Sequence, residues 1–198
     1  MTSNWPMSGS RQHQGWCPFK SAISRAEAAR LAALFDARPK CKATVGKEGA
    51  LDPQARDSNI LWIEPSPETE WIFDRVEHVI RAVNDQFFRL DLTHLPALQL
   101  TEYRAEEDGH YGQHIDCAYG ENDPLSQRKL SISINLSRPS DYAGGRLLIY
   151  PTSTQPIACN TLVCGGTIFR SHIVHEVTPV TRGRRLSLVT WACGPQLR

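Results

Sequence analysis

The chain has 198 residues, 40% of them hydrophobic, and a formal net charge of +1. That length and composition suffice for a sizeable core, and near-neutrality gives no reason to invoke nucleic acid. No apolar run is long enough to span a membrane. No linker or repeat divides the sequence, so a single domain is expected over residues 1–198. Residues 1–96 read as mainly helical support and 97–195 as the β-rich core that carries the site. The first ten residues, Met1 to Ser10, lack the apolar core of a signal peptide, and the expectation is a cytoplasmic protein. The six cysteines form no Cys-x-x-Cys pair and are expected as thiols, not disulfides.

In chain order, Ser24-Arg-Ala-Glu27 is a capping-box pattern, and the Ala- and Leu-rich stretch after it stops before Pro39, predicting a helix over 24–37. Residues 40–58, with Gly46, Gly49 and Pro53, read as a loop, either a cover for a site or a surface connection. Ser66-Pro67 opens a second helix, in which Ile72, Val76, Val79, Ile80, Val83 and Phe87 recur at helical spacing; the stripe reads as core packed on a sheet. The period then changes. Leu98, Leu100 and Glu102 alternate with Gln99, Thr101 and Tyr103, and Leu130, Ile132, Ile134 and Leu136 alternate with Ser131, Ser133 and Asn135. Strands with one apolar and one small polar face suit a barrel whose interior holds a ligand, so a jelly roll is expected.

His114 and Asp116 stand two apart, and His175 follows His114 by 61 residues. On an extended strand residues i and i+2 share a side, so His114 and Asp116 can meet one ion while Ile115 faces away. Two imidazoles and a carboxylate can cap one face of a divalent iron and leave positions open for substrate or dioxygen. After His175, Pro179 and Gly183 punctuate two β-branched stretches, a strand-turn-strand pattern that returns Arg185 and Ser187 on one face. Spacing leaves open whether the strands pair or cross between sheets. Arg can hold a carboxylate bidentately and Ser can add a hydroxyl donor, so metal and clamp together suggest a keto acid.

With these motifs the chain resembles the iron(II) and 2-oxoglutarate-dependent dioxygenases, in their prolyl 4-hydroxylase-like branch. The resemblance covers roughly residues 97 to 195. It rests on Tyr103, Gly109 to Asp116, Arg128 to Leu136, Asp141 to Leu147 with Gly144-Gly145, and His175 to Trp191. It implies a double-stranded β-helix with flanking helices, iron(II) held by His114, Asp116 and His175, and the distal carboxylate of 2-oxoglutarate on Tyr103, Arg185 and Ser187. It implies dioxygen as second cosubstrate and L-ascorbate as a further cofactor. The reaction implied is hydroxylation of an unactivated C–H bond with release of succinate and carbon dioxide; iron and cosubstrate carry the oxidation, and no side-chain base is required. Collagen-type members place Lys where Arg185 stands, and Arg146 follows the two glycines where an acidic residue is usual.

Ordinary polar roles are expected for His13, His78, His94, His110 and His172, with His110 also a candidate for the site entrance. Cys117 should alternate away from the metal. Arg56 is the most plausible substrate contact in the amino-terminal half, beside the simpler reading as a solvated Arg. Two other functions use the same residues. A zinc hydrolase would need a placed base, and there is no His-Glu-x-x-His; a non-catalytic metal-binding jelly roll would leave the clamp unexplained. The substrate class is an amino acid, a small natural-product intermediate or a peptidyl prolyl residue, with specificity assigned to residues 40–60, 104–112 and 118–128. No motif encodes the substrate itself or the oligomeric state.

Overall fold

A computed structural model describes residues 15–46, 49–118, 123–152 and 155–195; His13 and the first ten residues lie outside them. Helix α1 is Arg25–Ala37. Its capping box closes in both directions: the Ser24 hydroxyl accepts from the Glu27 amide at 3.2 Å and the Ser24 amide donates to the Glu27 carboxylate at 2.7 Å. Helix α2 is Glu70–Val83. The Ser66-Pro67 pair forms the turn before it instead of its first residues, and Ser66 O accepts from the amides of Thr69 and Glu70. Ile72, Val76, Val79, Ile80 and Val83 are buried in the main core, and Phe87, in a π-helical turn after α2, packs against it.

Thirteen strands follow from the described residues: β1 Trp16–Phe19, β2 Cys41–Lys42, β3 Arg56–Asp57, β4 Asn59–Ile63, β5 Leu98–Arg104, β6 His110–His114, β7 Arg128–Asn135, β8 Tyr142–Gly144, β9 Leu147–Tyr150, β10 Ile157–Ala158, β11 Gly166–Arg170, β12 Val174–Val177 and β13 Val180–Cys193. The major sheet runs β1-β11-β7-β13-β5-β4-β2, with β8 also on β13; the minor sheet runs β10-β9-β12-β6-β3. The result is the expected jelly roll with flanking helices. The amino-terminal half is less purely helical than its sequence suggested. It supplies β1 to β4, and β2 and β3 lie inside the predicted 40–58 loop, where two-residue strands are too short to show an alternating pattern.

Alternation sorts the major sheet into two environments. Leu98, Leu100, Leu130, Ile132, Ile134, Leu186 and Leu188 pack with both helices in the main core. Their neighbours, including Gln99, Thr101, Ser131, Ser133 and Ser187, point the other way and line a cavity facing the minor sheet. The residues after His175 cross between sheets: β12 pairs with β9 and β6, whereas β13 pairs with β5, β7 and β8. The turn falls at Pro179 alone. Gly183 is a strand residue with φ +70°, and a Cβ there would stand 2.1 Å from the Asp141 carbonyl oxygen, which explains the glycine without a turn.

Glu102 shares the helix-side face but is not apolar filling. It is 1% exposed and meets Arg104 at 2.9 Å, Arg184 at 2.5 Å and the Asn59 amide at 3.1 Å, while Arg184 reaches Asp36 of α1 at 2.7 Å. Burial pushes the Glu102 carboxyl up, but Arg104, Arg184 and Asn59 outweigh it and hold the group below its ordinary value of 4.5. A lowered folded value gives stability that is present above the unfolded value and lost as pH falls through the folded one. Glu102→Gln is therefore expected to cost about 1 to 3 kcal/mol at pH 7. In urea titrations the deficit should shrink in acid below about pH 4.5; an equal deficit at both pH values would contradict the ion-pair account.

Candidate active site

The cavity between the sheets has a volume of about 690 Å³ and takes walls from both. At its minor-sheet side His114 of β6 and His175 of β12 are direct antiparallel partners. Each imidazole is oriented by its own chain: His114 Nδ1 donates to Gly112 O at 2.8 Å, and His175 Nδ1 donates to Ile173 O at 2.9 Å. A carbonyl can only accept, so both Nδ1 atoms carry hydrogen and both Nε2 atoms face the cavity. Asp116 lies beyond the end of β6, not on it as the two-residue spacing suggested. Its amide donates to Ser171 O at 2.9 Å, and this still turns the carboxylate inward. Its oxygens stand 3.6 Å from His114 Nε2 and 3.3 Å from His175 Nε2. One ligand atom from each of the three residues falls within 4.8 Å of the others, close enough to share one metal ion.

The electrostatics suit that use. Burial, then the neighbouring His175, lowers His114 to about 4, so it stands neutral as a ligand must. Burial alone would raise Asp116, but His175, His114 and the Ser131 hydroxyl hold it well below the usual carboxylate range. His175 is also pushed down by burial, yet Asp116 raises it above its ordinary value. An imidazole binds metal only when deprotonated, so metal affinity here falls in acid. Phe169 packs edge-on against His175 at 4.7 Å, and Tyr111 stacks on His114 at 3.5 Å.

Arg185 enters from β13, opposite Tyr103 of β5. It is 3% exposed, its guanidinium 5.5 Å from the Tyr103 ring centre, with Ser187 Oγ and Asn135 Oδ1 at 3.5 and 3.4 Å. Among the described residues no carboxylate pairs with it, although its neighbour Arg184 has two. A buried cation with only neutral partners is costly unless an anion joins it. Gly145 makes room for it: a Cβ there would meet Arg185 Cδ at 3.0 Å and Val180 at 2.8 Å.

Residues 98–193 match the family model of the 2OG-Fe(II) oxygenase superfamily. That segment belongs to the superfamily. It is also similar to a PKHD-type hydroxylase of Colwellia psychrerythraea, 35% identical over 83 residues, which are 42% of this chain and 37% of the relative. The chain thus matches well under half the length of that curated relative. A prolyl-4-hydroxylase structure from Pseudomonas putida superposes with a TM-score of 0.71 at 22% identity, covering 91% of this chain and 93% of the other. A prolyl hydroxylase from Trichoplax adhaerens, solved with a hypoxia inducible factor peptide fragment, gives 0.75 at 17% identity over 91% and 84%. Both likenesses show the fold.

Within this oxygenase segment the expected residues Tyr103, His114, Asp116, His175, Arg185 and Ser187 all line the one cavity. His110 does not; its two nitrogens meet the carbonyls of Asp108 and Gln54 at 2.7 and 3.0 Å. His172 is exposed on the turn before β12. Three further contributors were not assigned from sequence. Arg128 donates to Asp116 O at 3.3 Å and lies 3.6 Å over Trp191, whose ring is 6.1 Å from Trp62. The Arg128 and Trp191 motifs were visible in the sequence, but their pairing is set by register across β7 and β13. Thr44, Val45 and Arg56 show that part of the 40–58 segment also walls the cavity, while of 104–112 only Tyr111 and Gly112 do.

Proposed function

We propose that the protein is an iron(II)- and 2-oxoglutarate-dependent dioxygenase that hydroxylates an unactivated C–H bond of an amino acid, a small natural-product intermediate or a peptidyl prolyl residue. The observation that carries this reading is the pairing, in one cavity, of three convergent metal-binding side chains with a buried guanidinium that has no acidic partner among the described residues. The superfamily match and the hydroxylase names of its relatives support it.

His114, Asp116 and His175 would hold the iron, a donor set of two imidazoles and one carboxylate that suits it. Iron, with 2-oxoglutarate and dioxygen, supplies the oxidation and the release of succinate and carbon dioxide. The chain positions the reactants and excludes water. Arg185 and Ser187 would bind the distal carboxylate, Tyr103 would flank it, and the stacked Tyr111 ring and the edge-on Phe169 ring keep both imidazoles in place. L-Ascorbate as a reductant, a single-domain organisation and a cytoplasmic setting belong to the same proposal. The six cysteines, none in a disulfide, suit a reducing compartment. Among the described residues no helix is long and apolar enough to cross a membrane.

A zinc hydrolase is disfavoured by the lining itself. Among the described residues Asp116 is its sole carboxylate, and its imidazoles are those of His114 and His175, so no base remains for water activation. Purified protein supplied with iron(II), 2-oxoglutarate and a panel of free amino acids and proline peptides should form succinate only in the presence of dioxygen, and zinc should suppress it. Turnover that survives zinc and the removal of dioxygen would replace this reading with the hydrolase.

A further inference from the structure

Three guanidinium groups line the cavity, and 2-oxoglutarate accounts for one. Arg128 is committed to the Asp116 carbonyl and the Trp191 face. Arg56, on edge strand β3, is held in place by neutral groups among the described residues. Its Nε donates to Ser58 Oγ at 2.9 Å, its Nη2 donates to Gln99 Oε1 at 3.0 Å, and its guanidinium lies 4.4 Å over the Tyr111 ring that stacks on His114. Among the described residues Arg56 makes no ion pair, although it is half-buried.

Gln99 carries the second half of the argument. It is 4% exposed, and its Oε1 accepts from both Arg56 and Thr101 Oγ1 at 3.0 Å. Two donors on the oxygen settle which end of the amide is which, and they leave the two N–H groups of Nε2 with no partner among the described residues. A cation and an amide donor thus sit side by side on the cavity wall with no carboxylate facing them among the described residues. Register puts Trp62 and Val189 on either side of Gln99, so the surface beside these donors is apolar and continues toward Trp191. One guanidinium and one amide match a singly charged planar group better than a doubly charged phosphate.

We propose that the oxidised substrate is a small carboxylic acid whose carboxylate is held by Arg56 and Gln99, while its hydrocarbon part lies along Val189 and Trp191 toward the metal ligands. This assignment rests on the hydroxylase reading and narrows it. A free acid and the carboxyl terminus of a peptide present the same chemistry, and the experiment separates them.

The test uses the full chain with manganese(II) and saturating 2-oxoglutarate, so that Arg185 is occupied and no turnover occurs. Tryptophan fluorescence is followed during titration with free L-amino acids, with their carboxamides, with tripeptides bearing free or amidated carboxyl termini, and with a doubly capped proline peptide. The expected result is at least one free amino acid that binds about tenfold or more tightly than its carboxamide. Arg56→Gln should erase that preference by removing the charge. Gln99→Glu, which is isosteric and gives Arg56 a carboxylate of its own, should erase it as well. Acids and amides that bind alike, no binding by any acid, or a preference that survives both substitutions would overturn the proposal. So would tight binding confined to tripeptide acids or to the capped proline peptide. Failure of 2-oxoglutarate itself to bind would instead overturn the hydroxylase reading.

Discussion

Asp116→Ala is expected to abolish succinate formation while leaving most of the fold intact. The carboxylate supplies the only negative charge among the three candidate ligands, and it faces a cavity instead of filling a core. His114→Ala and His175→Ala should behave alike, because each removes an Nε2 that a backbone carbonyl on the same chain has already aimed. Changes to groups behind the ligands commonly cost about 10- to 100-fold, so loss of a ligand itself should exceed roughly a hundredfold. Metal retention by elemental analysis should fall in parallel, and circular dichroism should change little. The comparison that guards against a wrong choice of histidine is His172→Ala. That side chain is exposed on the turn ahead of β12 and should be dispensable. Normal turnover by Asp116→Ala, or loss of iron from His172→Ala, would refute the assignment.

The parts of this site that were legible in the sequence are those governed by local periodicity. Period-two alternation around Leu100 and Ile132 separated the helix-packed face from the cavity face, and the Ser24–Glu27 box marked the start of α1 within a residue. Position along the chain also brought forward His114, Asp116 and His175, though Asp116 reaches the cavity from beyond β6 by an amide bond to Ser171, which no strand pattern encodes. What escaped depends on pairings between distant segments. Arg56 was named as a candidate contact, but its place against Tyr111 is fixed only by the β3–β6 register of a two-residue strand, and Gly183 looked like a turn until its close approach to the Asp141 carbonyl was seen. Arg185 was legible as a cation on the correct face. Its lack of an acidic partner was not, because Glu102, the nearest candidate by register, is directed to the opposite face and taken by Arg104 and Arg184.

That unpaired cation gives the second large effect. Arg185→Ala removes both the charge and the planar fork, and loss of a charge-assisted bidentate contact should weaken 2-oxoglutarate by about 2 to 4 kcal/mol, roughly 30- to 1000-fold. The ligand-free protein should lose little stability, since among the described residues the guanidinium meets the neutral Ser187 and Asn135 and the Tyr103 ring. Arg185→Lys should be milder because charge remains. Arg184→Ala should do the reverse of Arg185→Ala. It breaks the link from Glu102 to Asp36 of α1 and lowers stability, yet it leaves the cavity untouched.

Isothermal titration of 2-oxoglutarate into the manganese-loaded wild type, Arg185→Ala and Arg184→Ala proteins therefore tests the central claim, that a metal site and a carboxylate clamp share this cavity. The account predicts a loss of about 30-fold or more for Arg185→Ala and an unchanged affinity for Arg184→Ala. Unchanged affinity for Arg185→Ala, or the larger loss for Arg184→Ala, would contradict it.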